Sequence, residues 1–553
     1  MKKRHFIPIL LLIFGTLLAN AQQQKDFSRA DTLRGSLRPE RTCYDVKSYD
    51  LHLRIDTLSQ AISGSNRISF NTRQDFTTLQ IDLFANMNIQ RITSRGIDLR
   101  FRREFDAVFV DMPEMIKAGT EDNIVVYFSG KPIIAKNPPW DGGFTWTKDE
   151  HGLPWIAVSC QGIGASLWWP TKEDHSDEPE YMSIHCNVPK DLRCVANGNE
   201  DPATESADGT VTYHWNISYP INNYNVSINI GDYVHLHDTY KASDGDTLAL
   251  DYYVMRDNQQ KAIKQFRQVK PMLACYEKFL GKYPFWNDGY ALIETPYLGM
   301  EHQSGIAYGN RYKTGYAGMD RSGMNLPFDY IIIHETGHEW WGNSVSCKDL
   351  ADMWIHEGFC TYTEAIYVEC MYNYDTAMTY VNALRNSVGN NKPIIGVYGV
   401  NREGHVDMYV KGMLFLNTLR HVIGDDDIWW PMIKNMSDTT FKMTAVNYND
   451  VVSFFNTKSG MDLTRVFEQY VKHPSIPEFE YKIKKKKGKL ILSYRWKAQV
   501  NGFNMPLDIA VGDQKLRIVP TTEWKTMTIT KPTDDRVLID DRKFYIRKKQ
   551  VNP

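Results

Sequence analysis

The sequence predicts a multidomain α+β protein in which a mainly helical domain lies between two β-rich domains. The chain has 553 residues, which is enough for about three domains of ordinary size. Its hydrophobic pattern also changes twice, from the spacing typical of strands to that of helices and back again. We place an N-terminal β-saddle or β-sandwich at 31–254, a helical domain at 258–472 and a small C-terminal β-sandwich at 478–549.

The first residues have the features of a secretory signal peptide. Lys2 to Arg4 form a basic start, Ile7 to Leu18 form an apolar run, and Ala19 to Ala21 offer a small-x-small cleavage site. An uncleaved anchor is the alternative, but the apolar run is shorter than the ~20 residues that a membrane span needs. We therefore expect residues 1–21 to be removed. We expect the mature chain to be exported, either periplasmic or secreted, and to have no membrane span.

The charge of the chain gives no indication of a nucleic-acid partner. The 64 Lys and Arg residues nearly balance the 66 Asp and Glu residues, so the net charge is −2 and gives no electrostatic footprint for nucleic acid.

The cysteine content allows disulfides. All eight cysteines follow the signal segment, and export permits disulfides. Cys186 and Cys194 flank a predicted strand turn and could pair, while buried free thiols are the alternative for most of the eight.

Short runs of strand-forming residues characterise the two outer domains. In the N-terminal domain, 48–55, 124–128 and 248–254 alternate or cluster apolar β-formers, and turn residues such as Asp208-Gly209 separate the runs. After Pro474 and Pro477 the pattern returns to β, and we predict strands at 490–496, 507–511 and 544–546.

Helical spacing dominates the middle domain. From Gln259 to Leu280, apolar residues recur at helix-like intervals, and a strand is predicted around 291–294. Further helices are predicted near 328–341, 358–372, 376–388, 409–422 and 461–471.

A metal-binding pattern lies in one of these helices. His334 and His338 are four residues apart, so their imidazoles project from one face and can bind Zn²⁺ together. Glu335 is rotated about 100° from His334, which directs it towards a metal-bound water, as a general base requires. Two histidines satisfied within a core helix are the alternative, because HExxH alone is only a moderate signal.

A third ligand decides between these interpretations. Catalytic zinc needs three protein ligands and one open position, and Glu357 follows His338 after eighteen residues, on the next helix. A purely structural zinc is disfavoured, since such sites are usually closed by four ligands and rich in Cys. Glu364 lies two turns after Glu357 and is a candidate to orient a histidine ligand, or else an ordinary solvent-facing glutamate.

Four motifs in order resemble peptidase family M1, a family of gluzincin aminopeptidases. The stretch 334–364 resembles the family signature HExxHx₁₈E, and Leu298-Gly299-Met300-Glu301-His302 resembles its GxMEN exopeptidase motif. Downstream, 409–412 resembles the YxKG tyrosine motif, and 159–162 resembles the segment that supplies a substrate-binding glutamine. The resemblance covers most of the mature chain and implies a thermolysin-like catalytic domain between the two β domains, with one zinc ion per chain.

The resemblance also implies a role for each motif residue. Glu301, helped by Gln161, would hold the free α-ammonium of a peptide through charge-assisted hydrogen bonds, with Gly299 and Met300 beside it. Tyr409 would donate a hydrogen bond to the oxyanion. The expected partners are therefore peptides with free N-termini.

The sequence departs from the GxMEN motif at two positions, and several alternative functions are compatible with the motifs. Leu298 replaces the first glycine of GxMEN and His302 its final asparagine, so side-chain preference and the positioning of Glu301 are open. The alternatives are an epoxide hydrolase of the leukotriene A4 hydrolase type, an endopeptidase, and a catalytically idle binding protein. The sequence leaves the oligomeric state and the physiological peptide undetermined.

Overall fold

A computed structural model describes residues 27–486, 489–530 and 532–552. The signal peptide predicted for 1–21 lies outside these residues. Within them, none of the helices combines the length and the apolar character that crossing a membrane requires. The predicted α+β architecture is confirmed: a β-rich N-terminal part, a mainly helical middle part and a β-rich C-terminal part follow one another along the chain.

An eight-stranded sheet forms most of the N-terminal part. The strands predicted at 48–55 and 124–128 lie within Tyr44–Asp56 and Glu121–Gly130, where alternate side chains are buried. The sheet order is Asn199–Glu205, Thr210–Ile217, Tyr181–Pro189, Tyr44–Asp56, Ala61–Thr72, Glu121–Gly130, Met87–Ser94 and Ile97–Asp98. Two smaller sheets cover it, Arg193–Ala196, Ile228–Gly231, Pro154–Ser159 and Gly143–Lys148, and Phe76–Asp82, Ala107–Ile116 and Arg100–Glu104.

A five-stranded sheet joins the N-terminal and middle parts of the chain. Its order is Tyr233–Lys241, Thr247–Met255, Tyr290–Glu294, Gly305–Tyr308 and Gly299–Met300. The strand predicted at 248–254 pairs in parallel with the strand predicted at 291–294, so this sheet crosses the boundary that we placed between 254 and 258. Alternation of apolar and polar residues identifies a strand, but it does not show which sheet the strand joins.

The middle part is built from helices that pack into one core. They are Gln259–Gln265, Val269–Leu280, Tyr330–Gly337, Met353–Met371, Tyr374–Ala383, Met408–Ile423, Asp426–Asn435, Tyr448–Ser459 and Thr464–Phe467, the last followed by the wider turns Glu468–Lys472. Two of them, Asp426–Asn435 and Tyr448–Ser459, lie outside the predicted set. The first contains Pro431, and the second begins in the polar segment Asn447–Asp450, whose side chains cap the helix instead of breaking it.

Three helices carry the motif residues, and we name them for this purpose. The HExxH helix is Tyr330–Gly337, the Glu357 helix is Met353–Met371, and the Tyr409 helix is Met408–Ile423. The Glu357 helix begins five residues before the predicted start at 358, so Glu357 lies within it.

The Glu357 and Tyr409 helices cross at a pair of glycines. A methyl group added at Gly412 would stand 2.5 Å from the backbone Cα of Gly358, so only glycine allows this approach. The crossing brings Tyr409, one turn before Gly412, towards Glu357, which precedes Gly358.

The C-terminal part forms two small sheets that share a core with the helices. One contains Lys525–Thr530, Lys489–Lys497, Glu478–Lys486 and Arg547–Gln550, and the other Gln514–Ile518, Leu507–Val511 and Val537–Ile539. The strand predicted at 544–546 is wrong, because the strand begins at Arg547. Residues 544–546 pack on helices instead: the Tyr545 backbone N–H donates to Thr418 (2.9 Å), and Tyr470 donates to the Tyr545 carbonyl (2.8 Å). A short apolar run does not by itself distinguish these two kinds of burial.

All eight cysteines are free thiols in this structure. Cys186 and Cys194, the pair predicted as possible from the sequence, are both buried, on consecutive strands that belong to different sheets. The structure therefore has the buried-thiol arrangement that the sequence analysis gives as the alternative.

Candidate metal centre and active site

The HExxH helix and the residue that caps its C-terminus present the two motif histidines to the same point. Asp329 caps the helix by accepting a hydrogen bond from the Ile331 backbone N–H (3.0 Å). Ile331, Ile332 and Ile333 are buried, so the core encloses the helix on several sides. The four-residue spacing places the Nε2 atoms of His334 and His338 3.3 Å apart.

Glu357 completes a three-ligand set. Its Oε2 atom lies 3.3 Å from His338 Nε2 and 3.7 Å from His334 Nε2, and it accepts no hydrogen bond from the described residues. Ligand atoms about 2.0–2.1 Å from a tetrahedral zinc are about 3.3 Å from one another, so the three separations fit that ion. A buried carboxylate oxygen without a partner is costly, and a bound cation would satisfy it.

Each histidine is oriented from behind by a hydrogen bond from its Nδ1. His334 donates to Glu364 (2.7 Å), and His338 donates to the Trp341 carbonyl (2.8 Å). The other Glu364 oxygen accepts a hydrogen bond from Tyr380 (2.5 Å). Glu364 is fully buried and so is not the solvent-facing residue considered as its alternative. Such contacts hold a ligand's tautomer and ring orientation.

Cys360 is a further donor near the histidines. Its sulfur lies within 4.8 Å of their ligand nitrogens, and the motif analysis does not include it. The thiol donates to the His334 carbonyl (2.9 Å), a contact that needs the protonated sulfur. Glu357, with its unpartnered oxygen, therefore fits the third ligand position better.

Glu335 is buried beside the three ligands and has a perturbed acidity. Burial raises the pKa of its carboxyl to about 7, with the carboxylates of Glu301 and Glu357 acting in the same direction. Gly299 leaves the space in front of it open. A methyl group at Gly299 would stand 3.2 Å from Glu335 Oε1 and 2.6 Å from the Ile331 side chain.

Glu301 and Gln161 form a hydrogen-bond chain that ends on Glu357, the candidate third ligand. The Gln161 amide nitrogen donates to Glu301 Oε1 (2.7 Å) and to Glu357 Oε1 (2.9 Å). Asn343 holds the backbone of Glu301 by donating to its carbonyl (2.8 Å). Burial raises the pKa of the Glu301 carboxyl.

Tyr409 stands beside the ligand set on its own helix. Its ring centroid lies 6.2 Å from that of His334. Burial, with the carboxylates of Glu357 and Glu403 nearby, raises the pKa of the phenol well above its usual value. The hydroxyl therefore stays protonated at neutral pH and is able to donate a hydrogen bond.

The two departures from GxMEN have different surroundings. Leu298 lines the cavity in front of the metal ligands, where it is part of the wall. His302 is fully buried, and its ring nitrogens have no hydrogen-bond partner among the described residues. Burial lowers the pKa of His302 to about 3, so it is neutral and does not position Glu301 through its ring.

The motif residues open on a cavity of about 580 Å³ that further side chains complete. Trp140, Arg321 and Glu403 line it from loops that the motifs do not include. No local pattern marks them, because loop residues enter a site through the path of the chain rather than through periodicity. Tyr330, on the HExxH helix, lines the cavity and stacks on His334, with ring centroids 5.2 Å apart.

The fold and this ligand set together define the gluzincin class of metallopeptidases, in which two histidines of one helix and a glutamate of the next hold the metal. Comparison with known proteins gives the family. The profile described as "Peptidase M1 N-terminal domain" matches residues 46–224, and "Peptidase family M1 domain" matches residues 265–470. The chain belongs to peptidase family M1.

Individual relatives are distant. Leukotriene A-4 hydrolase of Xenopus laevis is 24% identical over 71% of this chain and 65% of its own length. Probable aminopeptidase 1 of Saccharolobus solfataricus is 20% identical over 78% of this chain and 54% of its own length. The chain thus spans about half to two thirds of the length of these relatives.

Solved structures share the fold. A mutant M1 zinc metallopeptidase from Deinococcus radiodurans, bound to a Tyr-Ser-Ala substrate, matches with a TM-score of 0.66 and 18% identity. The match covers 80% of this chain and 98% of that one. A second structure of the Deinococcus radiodurans enzyme also matches with a TM-score of 0.66, at 19% identity over 78% of this chain and 94% of that one.

Proposed function

We propose that this chain is an exported, zinc-dependent aminopeptidase that removes N-terminal residues from peptides. The observation that carries the proposal is the hydrogen-bond chain from Glu301 through Gln161 to Glu357. It ties the carboxylate that would bind an α-ammonium, through the Gln161 side chain, to a proposed metal ligand. The distance between ammonium site and metal is therefore fixed, so only the first peptide bond of a substrate reaches the metal.

Zinc held by His334, His338 and Glu357 would lower the pKa of a water and polarise the scissile carbonyl. Glu335 accepts the proton of the attacking water and later delivers it to the leaving amine. Its pKa, raised to about 7 by burial, suits both transfers near neutral pH.

The other cavity residues bind and orient the peptide. Glu301 and the Gln161 amide oxygen accept hydrogen bonds from the substrate ammonium. Tyr409 donates a hydrogen bond to the oxygen on which negative charge develops, where a fixed donor stabilises the transition state most. Leu298 forms part of the wall beside the first substrate side chain.

The relatives' names raise a second activity, but the cavity favours the first. Leukotriene A-4 hydrolase is among the relatives. Five carboxylates line this cavity, Glu301, Glu335, Glu357, Glu403 and Asp407. Such a wall suits a cationic ammonium better than a long apolar chain. A purely binding role is disfavoured because it needs neither Glu335 nor Tyr409.

The deciding experiment compares matched peptides with free and N-acetylated termini, before and after zinc chelation. We expect cleavage of the free-terminus peptides only, lost on chelation and restored by zinc. Cleavage of acetylated peptides would contradict the role of Glu301 and indicate an endopeptidase. If neither set of peptides is cleaved, the epoxide hydrolase or the binding-protein alternative is favoured.

The export part of the proposal has its own test. It depends on the basic start, apolar run and cleavage site of residues 1–21. N-terminal sequencing of the mature protein should begin at Gln22. Recovery of the uncleaved chain in a membrane fraction would support the anchor instead.

A further inference from the structure

Three histidines stand side by side on the eight-stranded sheet, far along the chain from the HExxH motif. His52, His185 and His214 lie directly opposite one another on three neighbouring strands. Asp50 is two residues before His52 on the same strand, so its side chain projects from the same face. None of the motifs described above includes these three histidines.

One carboxylate oxygen of the row lies between two imidazoles without accepting a hydrogen bond from either. Asp50 Oδ1 is 3.0 Å from His52 Nε2 and 3.3 Å from His185 Nε2. The same oxygen is buried and has no hydrogen-bond partner among the described residues. The ring N–H groups therefore do not point at the oxygen. One potential metal-ligand atom from each of Asp50, His52 and His185 nevertheless lies within 4.8 Å of the other two.

The predicted zinc site has the same signature. There, the unpartnered Glu357 Oε2 lies 3.3 and 3.7 Å from the Nε2 atoms of His338 and His334. Both clusters consist of two imidazoles and one carboxylate, with nitrogen–oxygen separations close to the edge of a zinc tetrahedron, about 3.3 Å.

His214 supplies the outer contact that such a site needs. Its Nδ1 lies 2.7 Å from His185 Nδ1, and its Nε2 lies 2.9 Å from the Thr204 hydroxyl. This network is satisfied when His185 donates its Nδ1–H to His214 and His214 donates its Nε2–H to Thr204. A tautomer of His185 with its proton on Nδ1 leaves the Nε2 lone pair free, which is the ligand form of histidine.

A second group of two histidines and an aspartate, His235, His237 and Asp251, differs from this row in its hydrogen bonds. Asp251 Oδ1 accepts hydrogen bonds from His235 Nε2 (2.7 Å) and His237 Nδ1 (2.9 Å). That carboxylate is satisfied by its histidines, whereas the Asp50 oxygen is not. The Asp251 group is therefore a matched control with the same residue types and the same kind of strand position.

We propose that Asp50, His52 and His185 bind a second divalent transition-metal ion, with Zn²⁺ as the ion that best suits two imidazoles and a carboxylate. The His52 side chain is about half exposed (55%), so the ion enters from solvent and keeps water on its open side. The ligands belong to strands Tyr44–Asp56 and Tyr181–Pro189, which are distant in sequence and adjacent in the sheet. Binding therefore cross-links them and stabilises the N-terminal part. The chain would hold two ions rather than the one that the motif analysis implies.

The test counts zinc in the full chain. The protein is stripped with a chelator and dialysed against buffered micromolar free Zn²⁺, and bound metal is measured by mass spectrometry. We expect two ions in the wild type, one in His52→Asn/His185→Asn, and two in the control His235→Asn/His237→Asn. The ion that the double variant retains in the HExxH site shows that the variant has folded.

Two results would overturn the proposal. One is a wild type that binds a single ion, and the other is a His52/His185 variant that still binds two. Anomalous scattering at the zinc edge locates the ion, and a second peak away from Asp50 would refute the assignment. None of these readouts depends on peptide hydrolysis, so they stand apart from the proposed activity.

Discussion

The glycine crossing between the Glu357 and Tyr409 helices allows a prediction about catalysis from a residue that never touches substrate. In Gly412→Ala, the new methyl group would stand 2.5 Å from the Cα of Gly358. Carbon atoms in contact are about 3.5–4.0 Å apart, so the helices must separate by about 1 Å or more. The Glu357 helix carries a proposed metal ligand, which would hold it in place, and we therefore expect the Tyr409 helix to move.

The magnitude follows from this displacement. A misplacement of about 1 Å in an active site costs about 10²-fold in rate. We expect kcat to fall about 100-fold with zinc content unchanged, because the three proposed ligands lie on the other two helices. Overpacking of this kind also costs about 1–3 kcal/mol of stability, which will lower the thermal midpoint without unfolding the protein.

A double-mutant cycle assigns the loss to Tyr409. The assay measures kcat for a free-terminus peptide in Gly412→Ala, Tyr409→Phe and the combined variant, each with its zinc content. If Gly412 acts by placing the Tyr409 hydroxyl, the combined variant will be no slower than Tyr409→Phe. Losses that multiply, or a Gly412→Ala variant within threefold of wild type with full zinc, would refute the reasoning.

Three further predictions concern other buried groups. Glu335→Gln should keep zinc and lose nearly all turnover; loss of zinc in this variant would show that the residue is misassigned. Glu364→Gln should weaken zinc affinity about 10- to 100-fold, measured by chelator competition, because the His334 ring loses its anionic partner; unchanged affinity would contradict that role. His421 donates to the Asn417 carbonyl and accepts from Tyr374. Burial lowers the pKa of His421 to about 4, so protonation in the unfolded state removes about 2 kcal/mol of stability between pH 7 and pH 5. Urea unfolding of His421→Gln should show a pH dependence smaller by that amount, and an unchanged dependence would exclude this histidine as its source.

Individual strands and helices were the features of the fold that the sequence could predict. The strand Tyr44–Asp56 and the helix Val269–Leu280 follow their periodicities, since burial of one face repeats every two residues or every 3.6. The strand predicted at 544–546 failed because its apolar residues are buried against helices from elsewhere in the chain. The helix Asp426–Asn435 lies outside the predicted set; it contains Pro431, a residue that is unfavourable in a helix interior.

The sequence by itself determined the identity of the chemical groups in the candidate site. The HExxH spacing places two imidazoles and a glutamate on one helix, and that geometry depends only on the pitch of the helix. Glu357 could also be predicted as the third ligand, because eighteen residues suffice for one loop and a return helix.

Only the tertiary structure decided how distant groups meet. Gln161 joins Glu301 and Glu357 across 140 and 196 residues of chain, and Gly412 meets Gly358 at a helix crossing. The row of His52, His185 and His214 likewise exists only because three strands, remote in sequence, pair in one register. Periodicity reports which face of an element is buried, whereas the partner on that face is set by packing and sheet order, which no local pattern encodes.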